Sequence, residues 1–308
     1  MRLLWHILIM KNSIIDENFL SRLEAVSMHM QNPMRGYFGG THRTKSYGST
    51  VEFADFREYA LGDDIRRIDW NLYSRFEKYF IRLFVDEKQM HIQIFLDGSA
   101  SMYKGDPDKA VYALRTAAAL AYLSVRNMDK TSVRLVKGSN AETVGGVMSG
   151  KAAFYRSMSE LDKTQFRGSA DISQAIKTCL DPGYDDGLTV IISDFLSDSD
   201  YKKAIDFLLY RHRQVMLIQV LSPEEVEPKY NGRRQLLDSE AGDILDDRNM
   251  KMRITRASLK VYKQALNDYV QEIKGFCSSR GVPFFSVCSN EPVENLIFGR
   301  LNELEVVR

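Results

Sequence analysis

The chain has 308 residues, 44% apolar and 27% charged, enough to bury a substantial core as one large domain or two modest ones. Its 42 basic and 41 acidic residues leave a net charge of +1, which excludes a global electrostatic pull towards nucleic acid or an anionic membrane. The three cysteines, Cys179, Cys277 and Cys288, are odd in number and lack metal-ligand spacing, so they read as reduced thiols of a cytoplasmic protein, with Cys288 as a small buried hydrophobe.

Residues 1–10 are apolar over about half of the ~20 positions that a membrane-spanning helix needs. No small-residue cleavage site follows before Lys11, so neither a span nor a signal peptide is expected. Residues 19–30 carry Phe19, Leu20, Leu23 and Val26 at helical spacing. The glycine-rich basic stretch 35–48 reads as an irregular loop; it lacks the Gly-Lys-Ser/Thr ending of a phosphate-cradling loop. Residues 50–59 have strand character, 62–64 form a turn, and 66–70 lead into a second extended stretch at 79–85.

From residue 91 strands and helices alternate. Strands are expected at 91–96, 132–136, 188–193, 215–220 and 283–288. Helices are expected from Pro107 (after Asp106) through Val125, and at 151–161, 171–180, 201–211, 256–280 and 293–301; a hairpin is expected at 138–147 and a small one near 235–238. Alternation of this kind predicts a doubly wound α/β fold, with a mainly parallel sheet and helices on both faces. The domain reading is a helical extension at 1–35, an extended β segment at 36–90 and the α/β domain at 91–308.

The chemistry concentrates where the first strand of that domain ends, at Asp97-Gly98-Ser99-Ala100-Ser101. Open α/β sheets bind ligands at the carboxyl ends of their strands. One carboxylate and two hydroxyls on a tight turn are hard oxygen donors suited to Mg²⁺ or Mn²⁺. Ser193-Asp194, ending a second buried strand, and Gly168-Ser169-Ala170-Asp171, before a helix, belong at the same edge. The bland alternative is that these aspartates and serines cap turns and helix starts. The predicted geometry is a partly exposed cluster of Asp97, Ser99, Ser101 and Asp194.

The Asp-x-Ser-x-Ser turn resembles the metal-ion-dependent adhesion site of von Willebrand factor A domains. That resemblance implies serines on the cation, aspartates acting through water, and a threonine from the second loop; here the threonine position reads Ala170, leaving Ser169 and Asp171 as substitutes. Upstream, Glu52-Phe53-Ala54-Asp55-Phe56-Arg57-Glu58-Tyr59, Gly62-Asp63-Asp64 and Arg66-Arg67-Ile68-Asp69-Trp70 resemble the signature of the domain-of-unknown-function 58 family, over about residues 36–102. Members are prokaryotic and are typically encoded beside MoxR-type AAA+ ATPases and other A-domain proteins. The resemblance implies an adaptor or partner of such an ATPase, binding protein in a divalent-cation-dependent way. The mixed-sign run 63–69 reads either as a local ion-pair network or as a docking surface with Arg66, Arg67 and Trp70 as anchors. Two alternatives remain at this point: a Mg²⁺-dependent phosphohydrolase or nuclease using Asp97 and Asp194, and a metal-free scaffold. A second aspartate two residues after Asp97 would favour a phosphatase; Ser99 stands there and cannot act as general acid at neutral pH.

Overall fold

A computed structural model describes residues 17–29, 51–86, 90–103, 108–179, 187–197, 200–228, 232–236 and 250–301. The expected features at 1–10, 35–48 and Asp106-Pro107 lie outside the described residues. The chain divides into two compact units rather than three segments: Met1–Phe38 with Met90–Arg308, and Gly39–Gln89. The helix α1 (Glu17–His29) is part of the larger unit, because Phe19, Leu20 and Leu23 are buried in its core.

In the smaller unit, β1 (Val51–Glu58) pairs antiparallel with β2 (Phe80–Asp86), with a register shift between Phe53 and Asp55. Between them the expected extended lead-in is instead a 3₁₀ turn, Ile65–Arg67, and a helix, α2 (Trp70–Phe76). The Asp69 carboxylate accepts the N–H groups of Asn71 and Leu72, and Glu77 ends the helix in a left-handed conformation at φ 54°. No residue of α2 is buried, so there was no apolar stripe to announce it.

The larger unit is built on β3 (His91–Asp97), β4 (Lys130–Lys137), β5 (Asn140–Met148), β6 (Leu188–Ser193), β7 (Gln214–Leu221) and β10 (Phe284–Cys288). They form one sheet in the order β10-β7-β6-β3-β4-β5. All neighbours are parallel except the β4–β5 hairpin. β8 (Gly232–Leu236) and β9 (Met250–Ile254) form a separate antiparallel pair. β3 and β6 are buried along their whole length, as parallel strands covered on both faces must be.

The helices are α3 (Lys109–Arg126), α4 (Lys151–Leu161), α5 (Ile172–Cys179), α6 (Tyr201–Tyr210), α7 (Pro223–Val226) and α8 (Arg256–Ser278). Alternate residues of β3 feed two cores. Ile92, Ile94 and Leu96 pack with Ala113 and Ala117 of α3 and Phe154 of α4. Phe95 packs with Ile176 of α5, Ile205 of α6 and Ile273 of α8. This is the expected doubly wound arrangement. Cys277 is buried and Cys288 only half-buried; burial pushes the Cys277 thiol up to about 11, and all three cysteines are free.

Strand order fixes where a site belongs. From β3 the chain passes to β4 on one side and later to β6 on the other. The connections therefore diverge between β3 and β6, and a crevice forms at their carboxyl ends.

Candidate functional site at the carboxyl edge

Leu96 lies beside Ile192 in the sheet, so both chains leave it together. Gly98 N–H bonds the carbonyl of Val136 at 2.9 Å. A Cβ on Gly98 would stand 2.5 Å from that same carbonyl oxygen, so only glycine permits the turn. The turn is stitched to the loop before α5: Arg167 N–H donates to Gly98 O and Ala100 N–H to Gly168 O, each at 2.8 Å. The second loop is held from its other side by Gly138, whose N–H donates to Ser169 O and whose carbonyl accepts Asp171 N–H.

Both aspartates are engaged. Asp97 Oδ1 accepts Ser99 N–H at 2.9 Å, and its Oδ2 accepts the Ser193 hydroxyl. Ser193 Oγ accepts Phe195 N–H. Asp194 Oδ1 accepts Leu196 N–H at 3.0 Å, its Oδ2 accepts the Lys109 ammonium at 2.8 Å, and its carbonyl accepts Gln219 Nε2. Phe195 sits at φ 54°, a left-handed conformation costing on the order of 1–3 kcal/mol for a bulky residue. The Tyr269 hydroxyl, from α8, bonds the Phe195 carbonyl and holds it there. The Ser99 and Ser101 hydroxyls are 2.9 Å apart.

The expected residues do gather, with one correction. Asp97, Ser99 and Asp194 are 1%, 0% and 0% exposed, and only Ser101 is half-buried. The cluster lies beneath the surface rather than on it. Burial, and next the nearby Asp194 charge, push the Asp97 carboxyl up; hydrogen bonds from Ser193 and Ser99 pull it back only in part.

Two residues escaped the sequence reading. Lys109, fully buried, donates to Asp194 and to Glu225 Oε1 at 2.6 Å. Burial disfavours its charge, but the two carboxylates outweigh that and hold the ammonium above its usual range. A lysine as first residue of a helix opposes the helix dipole, and that anomaly after Asp108 was a legible signal. Glu225 belongs to a capping box with Ser222 at the start of α7, and Ser-x-x-Glu is readable as such.

The remaining expected residues do other work. Ser169 is exposed; Ala170 is buried with Phe95 and Val136, and its methyl supplies no oxygen. Asp171 accepts Gln174 N–H and caps α5. In the smaller unit Asp63 pairs with Arg57 through both oxygens at 2.7 and 2.8 Å. Asp64 caps the 3₁₀ turn and Asp69 caps α2, so these acids serve caps as well as an ion pair. Arg66 is exposed, and the Arg67 side chain lies outside the described residues. Trp70, 62% exposed, meets Tyr73 and Tyr79 edge-on.

As a divalent site of the adhesion type the set fits poorly. Ala170 removes one donor, and Lys109 already neutralises Asp194. Among the described residues no three His, Cys, Asp or Glu side chains group as metal ligands. The set fits a hydrolase no better: a nucleophilic Asp97 would have to reach substrate from a position 1% exposed with both oxygens hydrogen-bonded.

A family model described as "Protein of unknown function DUF58" matches residues 55–265. The uncharacterized proteins Rv1480 of Mycobacterium tuberculosis (strain ATCC 25618 / H37Rv) and Mb1516 of Mycobacterium bovis are each 26% identical over 240 residues, covering 76% of this chain and 75% of theirs. Among solved structures, the conserved hypothetical protein BatB from Bacteroides thetaiotaomicron overlaps 70% of this chain and 98% of its own, at 16% identity and a TM-score of 0.44. The SpRpn10 VWA domain overlaps 69% and 95%, at 11% identity and a TM-score of 0.39.

Proposed function

The chain belongs to the DUF58 family, and from that premise we propose that it is a protein-interaction module that docks a partner on the carboxyl edge of its parallel sheet. The partner class follows from the family resemblance: a MoxR-type AAA+ ATPase, with A-domain proteins as further candidates. The observation that carries the reading is the state of the edge. Its acids and serines are committed to holding three loops in place, while Tyr103 and Leu196, on the loops after β3 and β6, are 67% and 42% exposed. Rigid loops carrying exposed apolar side chains suit protein docking, where a few well-placed apolar anchors carry most of the energy. Among the described residues no helix is long and apolar enough to cross a membrane.

The test is co-purification of the tagged chain with the MoxR-type ATPase of the same genome. Wild type retains the ATPase; Leu196→Asp and Tyr103→Ala, both surface changes, lose it while keeping the native circular dichroism spectrum. Retention of the ATPase by both variants contradicts docking at this edge.

A further inference from the structure

On the reading that this edge docks a partner, we infer that the cation of the site is built into the chain: the Lys109 ammonium takes the part a divalent ion plays in an adhesion-type site, and docking proceeds without divalent metal. Asp194 Oδ2 and Glu225 Oε1 converge on Nζ at 2.8 and 2.6 Å. Each carboxylate is aimed by its other oxygen, Asp194 Oδ1 by Leu196 N–H and Glu225 Oε2 by Ser222 N–H. The lysine and Asp194 side chains are fully buried, and that of Glu225 is 25% exposed.

The arrangement is thus a two-carboxylate cation cradle whose occupant is covalently supplied. A fixed positive charge on the first residue of α3 is opposed by the helix dipole, so the two acids are what hold it there. A divalent ion seeking the same two oxygens must displace an ammonium that cannot diffuse away. Removing the charge at 109 leaves the Asp194 and Glu225 carboxylates aimed at one point with no cation between them, hard oxygen donors of the kind Mn²⁺ and Mg²⁺ accept.

The experiment is calorimetric titration of Mn²⁺ into wild type, Lys109→Gln and Lys109→Arg, with Tm read in the same buffers. Wild type and Lys109→Arg take up no Mn²⁺ and their Tm is unmoved by chelator; Lys109→Gln binds it at least about tenfold more tightly than wild type and gains Tm with it. Wild type binding Mn²⁺ as tightly as Lys109→Gln overturns the inference, and so does a folded Lys109→Gln that binds none. If Lys109→Gln is recovered unfolded, it is refolded with and without Mn²⁺: rescue by the metal supports the inference, and failure in both contradicts it. The titration needs no partner, so it is decided separately from docking. ATPase capture by wild type that disappears in chelator would overturn the inference and leave the docking reading standing.

Discussion

The smaller unit and the sheet edge of the larger one use aspartate in opposite ways. Asp63, Asp64 and Asp69 bond groups two to six residues away, at exposed or part-buried positions. At the sheet edge Asp97 reaches Ser193, 96 residues on, and Asp194 reaches Lys109, 85 residues back, both fully buried. Water screens the Asp63 and Asp64 bonds, so each is worth little, and Asp69, 5% exposed, serves only as a local helix cap. The second set is removed from water, where a missing partner leaves a charge or dipole with nothing to replace it. Local acids shape turns; buried long-range acids lock separate loops into one platform.

That contrast can be broken most forcefully at Asp194. Asp194→Ala removes half of the buried Lys109 cradle and leaves Leu196 N–H without its acceptor, so it should lower stability by about 3–5 kcal/mol in urea unfolding. A loss under about 1 kcal/mol would place this pair with the screened surface bridges. Gly98→Ala comes next: its methyl would press on the Val136 carbonyl, and about 1–3 kcal/mol should be lost in the same assay.

The pH dependence sharpens the comparison at the opposite edge. Asp129 accepts Met90 N–H at 2.9 Å, and burial pushes its carboxyl up to about 6. An acid raised on folding stabilises below its unfolded value and loses that contribution as pH climbs through its folded one. Stability should therefore fall between about pH 4 and 6, by on the order of 2 kcal/mol. Asp129→Asn keeps the acceptor without the charge, so it should flatten that fall and exceed wild type above pH 6. A pH profile unchanged in Asp129→Asn would contradict this. The smallest effect belongs to the smaller unit: Asp69→Ala should cost about 1 kcal/mol, read as faster amide exchange within α2.

The same division explains what the sequence made legible. Most strand and helix positions at 91–221 and 256–301 follow from apolar periodicity, and the Asp97 turn and Asp194 were visible as acids at the ends of buried strands; α7 and the β8–β9 pair were not, since the stretch between reads as polar turns with a small hairpin near 235–238. The burial of the two acids was not visible either, because that of Asp194 depends on Lys109 and Glu225 and that of Asp97 on Ser193, all far away in sequence. Lys109 carried one local sign, its place at a helix start, and Glu225 another, its capping box; neither names a long-range partner. Helix α2 was missed for the opposite reason. It is seven residues long, buries nothing and is set by its Asp69 cap and the Glu77 terminus, so no periodic pattern marks it.

The central claim, docking at the carboxyl edge, is tested most directly by amide hydrogen exchange of the chain alone and mixed with the MoxR-type ATPase proposed as its partner. The account predicts new protection at 98–103, 167–171 and 194–197 on binding, with β1 and β2 unchanged. Protection confined to residues 51–86, with the three edge loops exchanging as in the free chain, would contradict it.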